Sequence, residues 1–322
     1  MVYLAIRYDL RNPAFANTST ADRYGACLEQ CEWADRLGFD SVTLSEHHGV
    51  DDGYLPSLFA MAAAIAARTT NIRIRLGAVI APLHDPLRLA EDAAVLDNIS
   101  RGRLDLVLAN GYVPSEFTAF GVSMRDRARL VTEAVATLRS AWTGDPFEFR
   151  GRTARVTPRP FQSPGPAIHL GGATEAAARR AARIADGFMP TEPHVFEFYR
   201  NELVKLGKPD PGPMGPGAPM YTHVTNDIET TWTAVAPHAL HEMNAYGAWA
   251  AESGTATGYV QISEIAALRA MGLYQVVTPD ACVEFVRASG MAMLHPMMGG
   301  VTPELSWENL RLFEHEVLPR IR

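Results

Sequence analysis

Two short stretches with strand character, VYLAIRY at residues 2–8 and FDSVTL at residues 39–44, flank a longer segment of helical periodicity. In that segment Thr20 can cap a helix that ends at Gly38. A strand, a helix and a second strand in this order predict a β-α-β unit whose two strands run parallel. The remainder of the chain repeats the alternation, so this unit decides the fold class.

The repetition predicts eight strands, each short and bounded by residues that favour turns. We place them at residues 2–8, 39–44, 72–80, 104–109, 167–170, 187–189, 220–225 and 291–294. Eight such units in 322 residues predict an α/β fold, a closed (β/α)8 TIM barrel that occupies residues 1–322 as one domain.

Two segments depart from the alternation, and we expect both to be insertions. Residues 147–157 are typical of a hairpin that turns near Gly151. Residues 254–278 are irregular apart from one short helix near 262–271, and they are a candidate lid.

The composition excludes several kinds of partner. There are 29 basic and 36 acidic residues, a net charge of −7, and no basic run, which disfavours nucleic acid. No uninterrupted apolar run approaches the roughly 20 residues of a membrane span, and the first residues lack the order of a signal peptide. Because Cys27, Cys31 and Cys282 form a sparse and odd set, we expect reduced thiols and a cytoplasmic protein.

In a barrel, the loops that follow the strands form the catalytic face. Residues 171–174, Gly-Gly-Ala-Thr, open a helix whose free N–H groups suit a phosphate. The alternative for these glycines is a tight turn that requires a positive φ. Neither a G-x-G-x-x-G nor a P-loop motif occurs, so the sequence predicts no nicotinamide Rossmann site and no P-loop. The other candidates on this face are Asp9 and residues 45–48, 82–85, 110–112 and 295–297.

His47 and His48 are the first candidates for metal binding. A hydrolytic metal barrel would carry a His-x-His pair on an early strand. These two histidines are adjacent, and on extended backbone their side chains point to opposite sides. We therefore predict no metal site. His47 at a strand end is instead a candidate for proton chemistry, with an ordinary satisfied polar contact as the alternative.

Several motifs follow one another in a fixed order along the chain. They are SEHH at 45–48, PLRLAEDAAVLDNISRGR at 86–103, NGY at 110–112 with Glu116-Phe117 and Phe120-Gly121, and Gly171-Gly172 followed by Ala181-Ala182, ADG at 185–187 and Pro190. In this order they resemble the luciferase-like flavin- and F420-dependent oxidoreductases. The resemblance covers nearly the whole chain and implies a barrel that binds FMN or the deazaflavin F420 over its strand ends.

The resemblance also implies roles for single residues. His47 matches the catalytic histidine that assists proton transfer beside the ring. Gly77 and Ala78 match a bulged third strand that supports the ring, often through a non-proline cis peptide. The residues expected to hold the cofactor phosphate are Asn110, Tyr112, Gly171, Gly172, Ala173 and Thr174.

Two of these positions differ from relatives within the superfamily. Luciferase has an arginine where this chain has Asn110, and an amide without charge predicts weaker FMN retention. The F420-dependent sugar-phosphate dehydrogenases have a glutamate proton donor where this chain has Tyr112, which disfavours that reaction.

We therefore predict a two-component monooxygenase that uses O₂ and reduced FMN, supplied by a separate flavin reductase, on a small hydrophobic substrate. The alternatives are F420-dependent hydride transfer to or from a carbon substrate, and a non-catalytic flavin-binding protein. A homodimer is expected from the resemblance. The predicted substrate contacts are His48, Tyr54 and His295.

Overall fold

The computed structural model describes residues 2–215, 219, 221–255 and 258–322. Its strands are β1 (Tyr3–Tyr8), β2 (Ser41–Leu44), β3 (Arg73–Ile80), β4 (Leu104–Ala109), β5 (Phe147–Phe149), β6 (Arg152–Ala154), β7 (Ala167–Gly172), β8 (Gly187–Pro190), β9 (Tyr221–Val224), β10 (Tyr274–Val277) and β11 (Met291–Leu294). Its α-helices are α1 (Thr20–Arg36), α2 (Leu58–Arg68), α3 (Pro86–Ser100), α4 (Pro114–Ala119), α5 (Arg127–Ala141), α6 (Glu175–Ile184), α7 (Val195–Lys205), α8 (Ile228–Ser253), α9 (Ile265–Ala270), α10 (Pro279–Ser289), α11 (Pro303–Leu312) and α12 (Leu318–Ile321).

Seven strands form one curled, wholly parallel sheet in the order β11-β1-β2-β3-β4-β7-β8. The last strand pairs with the first, with Tyr3 opposite Met291 and Ile6 opposite Leu294. This pairing confirms the expectation that the final β-α unit returns to β1. All seven carboxyl ends therefore lie at the same edge of the sheet.

The alternation of side chains along β1 separates the core from the opposite face of the sheet. Leu4, Ile6 and Tyr8 are buried in the main hydrophobic core, which the surrounding helices share. Arg7, between them in sequence, and Asp9, just beyond the strand, lie on the other face. Polar groups thus occupy the side of the sheet on which the site is built.

The predicted closed barrel is confirmed only in part. Among the described residues, β9 pairs in parallel with β10, and neither strand is hydrogen-bonded into the seven-stranded sheet. The prediction of an irregular segment at 254–278 missed β10, because four residues between Gly272 and Thr278 carry little periodicity and their partner is distant in sequence. Met220 of the predicted seventh strand, and residues 256 and 257, lie outside the described residues.

Other local predictions are confirmed. β5 and β6 form the antiparallel hairpin expected at 147–157, and α9 is the short helix expected near 262–271. Cys27 and Cys31 are buried in the core on α1 and do not form a disulfide. Among the described helices, none has the length and apolar character needed to cross a bilayer.

One buried side chain, that of Arg103, ties three elements together just before β4. Its guanidinium donates hydrogen bonds to the carbonyl oxygens of Ala66 (2.9 Å), Thr69 (3.0 Å), Ile72 (2.9 Å) and Ser100 (2.7 Å). These carbonyls lie at the end of α2, before β3 and at the end of α3. Arg103 therefore fixes the amino ends of β3 and β4 relative to two helices.

We predict that Arg103→Met lowers the free energy of unfolding by about 3 kcal/mol, because several buried carbonyl groups lose a charged donor. Urea denaturation followed by circular dichroism measures the change. Arg88→Met is the matched control, since the Arg88 side chain is 71% exposed and forms ion pairs with Glu91 and Asp92, two partly exposed carboxylates of its own helix. If Arg103→Met lowers the free energy of unfolding no more than the control does, the hydrogen bonds of Arg103 do not stabilise the fold.

Candidate active site

His47 follows β2 and is held in one orientation by Glu116 of α4. The two side chains are buried, and His47 Nδ1 lies 2.8 Å from Glu116 Oε1. The same oxygen accepts the backbone N–H of His48 at 2.8 Å. Because this oxygen acts as an acceptor, Nδ1 carries the proton and donates it to Glu116. Nε2 then keeps its lone pair, and no described residue hydrogen-bonds to it.

Aromatic rings surround the His47 imidazole. Trp249 of α8 stacks on it with ring centroids 4.2 Å apart. Tyr54, Tyr112 and Tyr246 meet it edge-on at 4.8, 5.9 and 5.9 Å. Burial raises the pKa of the Tyr54 and Tyr112 hydroxyls, so both stay neutral at physiological pH. This enclosure keeps bulk water away from His47.

His48 turns away from His47 and joins a second cluster around Glu46. His48 Nε2 and His84 Nε2 lie 2.6 and 2.7 Å from Glu46 Oε1, and the Ile80 backbone N–H donates to Glu46 Oε2 at 2.9 Å. Burial opposes the charge on Glu46, but the hydrogen bonds from His48 and His84 outweigh it and lower its pKa to about 2. Glu46 therefore joins the ends of β2 and β3.

The structure brings together two groups of residues that could ligate a metal, although the sequence predicts no metal site. Ligand atoms of Glu46, His48 and His84 lie within 4.8 Å of one another, as do those of Asp9, Glu242 and His295. In the first group, the hydrogen bonds from both imidazoles to one carboxylate oxygen already account for the short distances.

The bulge expected in the third strand is present. The register of β3 against β4 shifts between Gly77 and Val79, and the Gly77–Ala78 peptide is cis. A Cβ on Gly77 would lie 3.2 Å from the Thr43 side chain, so this position has little room for a larger residue. Support of a cofactor ring by Gly77 and Ala78 stays a prediction.

Gly171 and Gly172 end β7, and Thr174 caps α6 by accepting the Ala177 N–H at 3.2 Å. Neither glycine has a positive φ, so the tight-turn alternative does not explain them. A Cβ on Gly172 would lie 2.6 Å from the Cβ of Ala177, so glycine is required where the helix approaches the strand. The N–H groups of the first turn of α6 have no carbonyl partners within the helix.

Asn110, which follows β4, lies beside an arginine of α6. Arg180 Nη1 is 3.5 Å from Asn110 Oδ1, and burial lowers the pKa of Arg180. Arg180 thus brings a positive charge to the position where the sequence predicts only an uncharged amide. Tyr112 contacts the His47 ring edge-on, and its predicted role in holding the phosphate stays a prediction.

The three predicted substrate residues lie in different surroundings. Tyr54 is beside His47, and its hydroxyl is 2.9 Å from that of Tyr246. His48 packs against Phe120 and Glu46. His295 is fully buried, with its ring nitrogens 3.7 Å from carboxylate oxygens of Asp9 and Glu242.

Sequence reasoning missed several residues of this site. In the sequence, Glu116 was identified only as part of a family motif. Its position on the helix that follows β4 could have indicated a residue of the catalytic face. Tyr246 and Trp249 lie three residues apart in the long helix α8, and nothing in that spacing distinguishes them from core residues.

The profile of the luciferase-like monooxygenases matches residues 9–289 of the chain. The protein belongs to this family. It is therefore an enzyme of the luciferase-like class, and a curled parallel sheet with a bulged third strand is its scaffold.

Relatives of this luciferase-like enzyme include oxidoreductases of two kinds. The oxygenase component of a flavin-dependent trigonelline monooxygenase from Acinetobacter baylyi is 32% identical over 152 residues, 45% of this chain and 42% of that protein. An F420-dependent glucose-6-phosphate dehydrogenase from Amycolatopsis mediterranei is 27% identical over 59% of this chain and 61% of that protein. The matched part is less than two thirds of each relative.

A solved structure extends the likeness to the whole chain. The monooxygenase RslO1 from Streptomyces bottropensis superposes with a TM-score of 0.77 at 27% identity, covering 99% of this chain and 100% of that one. The fold of the luciferase-like enzyme is thus shared over its full length.

We predict that the ring tautomer of His47 depends on Glu116. In the wild type, ¹⁵N NMR of the neutral imidazole should report a protonated Nδ1. Glu116→Leu removes the acceptor and should move the proton toward Nε2, whereas Glu91→Leu on the exposed side of α3 should change nothing. An unchanged tautomer in Glu116→Leu would contradict the assignment of Nδ1 as donor.

We predict that Glu46 makes the luciferase-like enzyme sensitive to acid. Its pKa of about 2 in the folded state lies below the ordinary 4.5, so its contribution is complete above pH 4.5 and is lost as the pH falls toward 2. The shift corresponds to at most about 3 kcal/mol. Denaturant titrations across this range should show a smaller loss for Glu46→Gln than for the wild type, and parallel curves would refute the assignment.

Proposed function

We propose that the protein is the oxygenase component of a two-component monooxygenase, which uses reduced FMN and O₂ to oxidise a small hydrophobic substrate. The observation that carries the proposal is His47, with Nδ1 tied to Glu116 and Nε2 free within an aromatic enclosure. The similarity to a trigonelline monooxygenase described as an oxygenase component supports a separate reductase partner.

The residues on the catalytic face fit a flavin phosphate. Gly172 leaves the start of α6 uncovered, and the first-turn N–H groups, Asn110 and Arg180 form a set of donors with one positive charge. Gly77 and Ala78 offer a bulged strand without large side chains as a support for the flat ring. When bound and reduced, the flavin supplies the electrons that activate O₂.

The contribution of this chain is to manage a proton and to exclude water. His47 Nε2 is the atom that accepts a proton from the reacting groups or returns it to them, and Glu116 stabilises the imidazolium that results. Because Tyr54, Tyr112 and Trp249 surround the imidazole, water that would divert the oxidation is kept away.

An F420-dependent oxidoreductase is the second candidate, because a relative at 27% identity is an F420-dependent dehydrogenase. Its hydride chemistry would also require a proton on His47. Against it, the only carboxylate described in contact with the His47 ring is Glu116, whose Oε1 already accepts two N–H groups and which is no free proton donor.

Four further features belong to the same proposal. The β9–β10 pair would complete the seven-stranded sheet to a closed barrel, and residues 1–322 would form one domain. The enzyme would be a cytoplasmic homodimer. Val95 and Ile99, which α3 exposes to solvent, offer an apolar surface near the second and third strands that a second copy would cover.

We predict that His47→Ala folds and binds FMN with little change but loses at least about 100-fold in substrate oxidation, since general acid-base catalysis contributes on this scale. Product formation is measured with a flavin reductase, NADH and a panel of small ketones and aldehydes. His315→Ala on the exposed surface of the last helical segment is the matched control. Near-normal product formation by His47→Ala would remove His47 from the mechanism.

A titration with FMN, reduced FMN and F420, followed by measurement of O₂ uptake, separates the candidate functions. Binding of reduced FMN with O₂ uptake is the expected result. Binding of F420 alone without O₂ uptake would replace the monooxygenase by the hydride-transfer enzyme. Binding of flavin without turnover of any substrate would leave a flavin-binding protein.

A further inference from the structure

A buried polar cluster lies behind the aromatic enclosure of His47, and we call it the Asp9 cluster: Asp9, Arg11, Asp52, Glu242 and His295. Arg11 pairs through Nη1 with Asp52, and its Nε is 3.7 Å from Asp9 Oδ2. His295 lies between two carboxylates, with Nε2 3.7 Å from Asp9 Oδ1 and Nδ1 3.7 Å from Glu242 Oε1. All five side chains are buried.

The Asp9 cluster contains most of the unpaired polar atoms of the interior. Within the described residues, eight buried side-chain nitrogen and oxygen atoms have no hydrogen-bond partner, and five of them belong to three residues of this cluster. These atoms are Asp9 Oδ2, Arg11 Nε and Nη2, and both ring nitrogens of His295. Such groups are costly to bury without a partner. Their concentration at one place indicates a site for a polar ligand group.

The cluster and His47 share one aromatic wall. The guanidinium carbon of Arg11 lies 4.7 Å from the ring centroid of Tyr54, 5.0 Å from that of Tyr246 and 4.9 Å from that of Trp249. The same three rings contact the imidazole of His47. Trp249 is half-buried, whereas Tyr54 and Tyr246 are buried, so the indole is the most exposed of the three rings.

We propose that Arg11 Nη2, assisted by His295, binds the carbonyl or hydroxyl oxygen of an uncharged aromatic substrate whose ring packs among Tyr54, Tyr246 and Trp249. This assignment of substrate class rests on the proposed function. It makes Arg11 the residue that orients the substrate relative to His47. The guanidinium supplies a hydrogen-bond donor, and the aromatic side chains supply flat surfaces for the ring.

The charges of the cluster favour a neutral ligand. Asp9, Asp52 and Glu242 bring three negative charges, while Arg11 and the neighbouring Arg7 bring two positive ones. His241 Nε2 also lies 2.7 Å from Asp52 Oδ2, at the half-buried edge of the cluster. A carboxylate ligand would add a fourth negative charge beside three buried carboxylates, whereas a carbonyl oxygen adds none.

The geometry favours an organic ligand over a metal ion, although Asp9, Glu242 and His295 could in principle ligate one. The two carboxylates make their closest approaches to different nitrogens of the His295 ring. One ion can bind only one of these nitrogens, so the carboxylate that lies closest to the other nitrogen would be farther from the ion. Glu242 is also engaged on its other oxygen by the Tyr274 hydroxyl at 2.8 Å.

Three fluorinated probes of similar shape test the proposal by ¹⁹F NMR titration: 4-fluoroacetophenone, 4-fluorobenzoate and 1-ethyl-4-fluorobenzene. The wild type should bind the acetophenone at least about tenfold more tightly than the ethylbenzene, because only the ketone accepts a hydrogen bond from Arg11. The benzoate should bind no better than the acetophenone. Arg11→Met should abolish the preference for the ketone, and Arg88→Met should retain it.

Several outcomes would overturn the proposal. Equal binding of the ketone and the ethylbenzene by the wild type would show that the site recognises no oxygen, and this result requires no variant. A strong preference for the benzoate would reject the neutral ligand class. An undiminished preference for the ketone in folded Arg11→Met, which has no donor at this position, would limit Arg11 to its ion pair with Asp52.

Two further measurements separate this proposal from its alternatives. The first is a titration with stoichiometric Zn²⁺. If Zn²⁺ prevents the wild type from binding the ketone and does not bind to the His295→Leu variant, the cluster is a metal site and the proposal is overturned. Because the titrations need neither flavin nor O₂, they fail or succeed independently of the oxygenase reaction. If the wild type prefers the ketone but shows no O₂ uptake, the assignment of Arg11 as the residue that binds the substrate oxygen stands, and only the proposed monooxygenase reaction is contradicted.

Discussion

The parallel pairing of β1 with β11 is the constraint on which the site depends. It joins strands that are almost 290 residues apart in the chain and curls the sheet so that the loop after β1 meets the loop after β11. Asp9 and His295, the residues that follow these strands, are brought within 3.7 Å of each other for that reason. The same direction of all seven strands carries His47 and Asn110 to this edge as well.

Several carboxylates of the site are buried, and hydrogen bonds stabilise their charge. Glu46, Glu116 and Asp9 each lose their hydration, and each recovers part of that loss from histidines or from backbone N–H groups that the strand ends present. Burial opposes ionisation of Asp9, but His295 and Arg11 outweigh it and keep its pKa well below its usual range. The carboxylates thus orient the histidines: Glu116 holds His47, Glu46 holds His48, and His295 lies between Asp9 and Glu242.

The polar and the aromatic residues of the site have different proposed roles. His47 and Glu116 are the proposed proton-handling pair at the end of β2, whereas Arg11 and His295 are the buried polar groups of the proposed substrate site. Tyr54, Tyr246 and Trp249 connect the two, because each ring contacts both His47 and Arg11. A substrate held at this wall would lie close to both groups without access to bulk water, which is the environment that an oxygenase requires.

The sequence by itself determined the fold class, the seven strands of the parallel sheet and the hairpin at β5–β6, and it predicted a role for His47. These follow from periodicity, turn residues and a local motif, which are written in short stretches of chain. It did not reveal β10, because a four-residue strand derives its identity from the distant strand β9. It also could not pair Glu116 with His47, Arg180 with Asn110 or Arg11 with Trp249, since each contact joins separate elements. Only the tertiary structure decided these partners, because burial and hydrogen bonding between distant segments depend on how the sheet curls and where α8 packs.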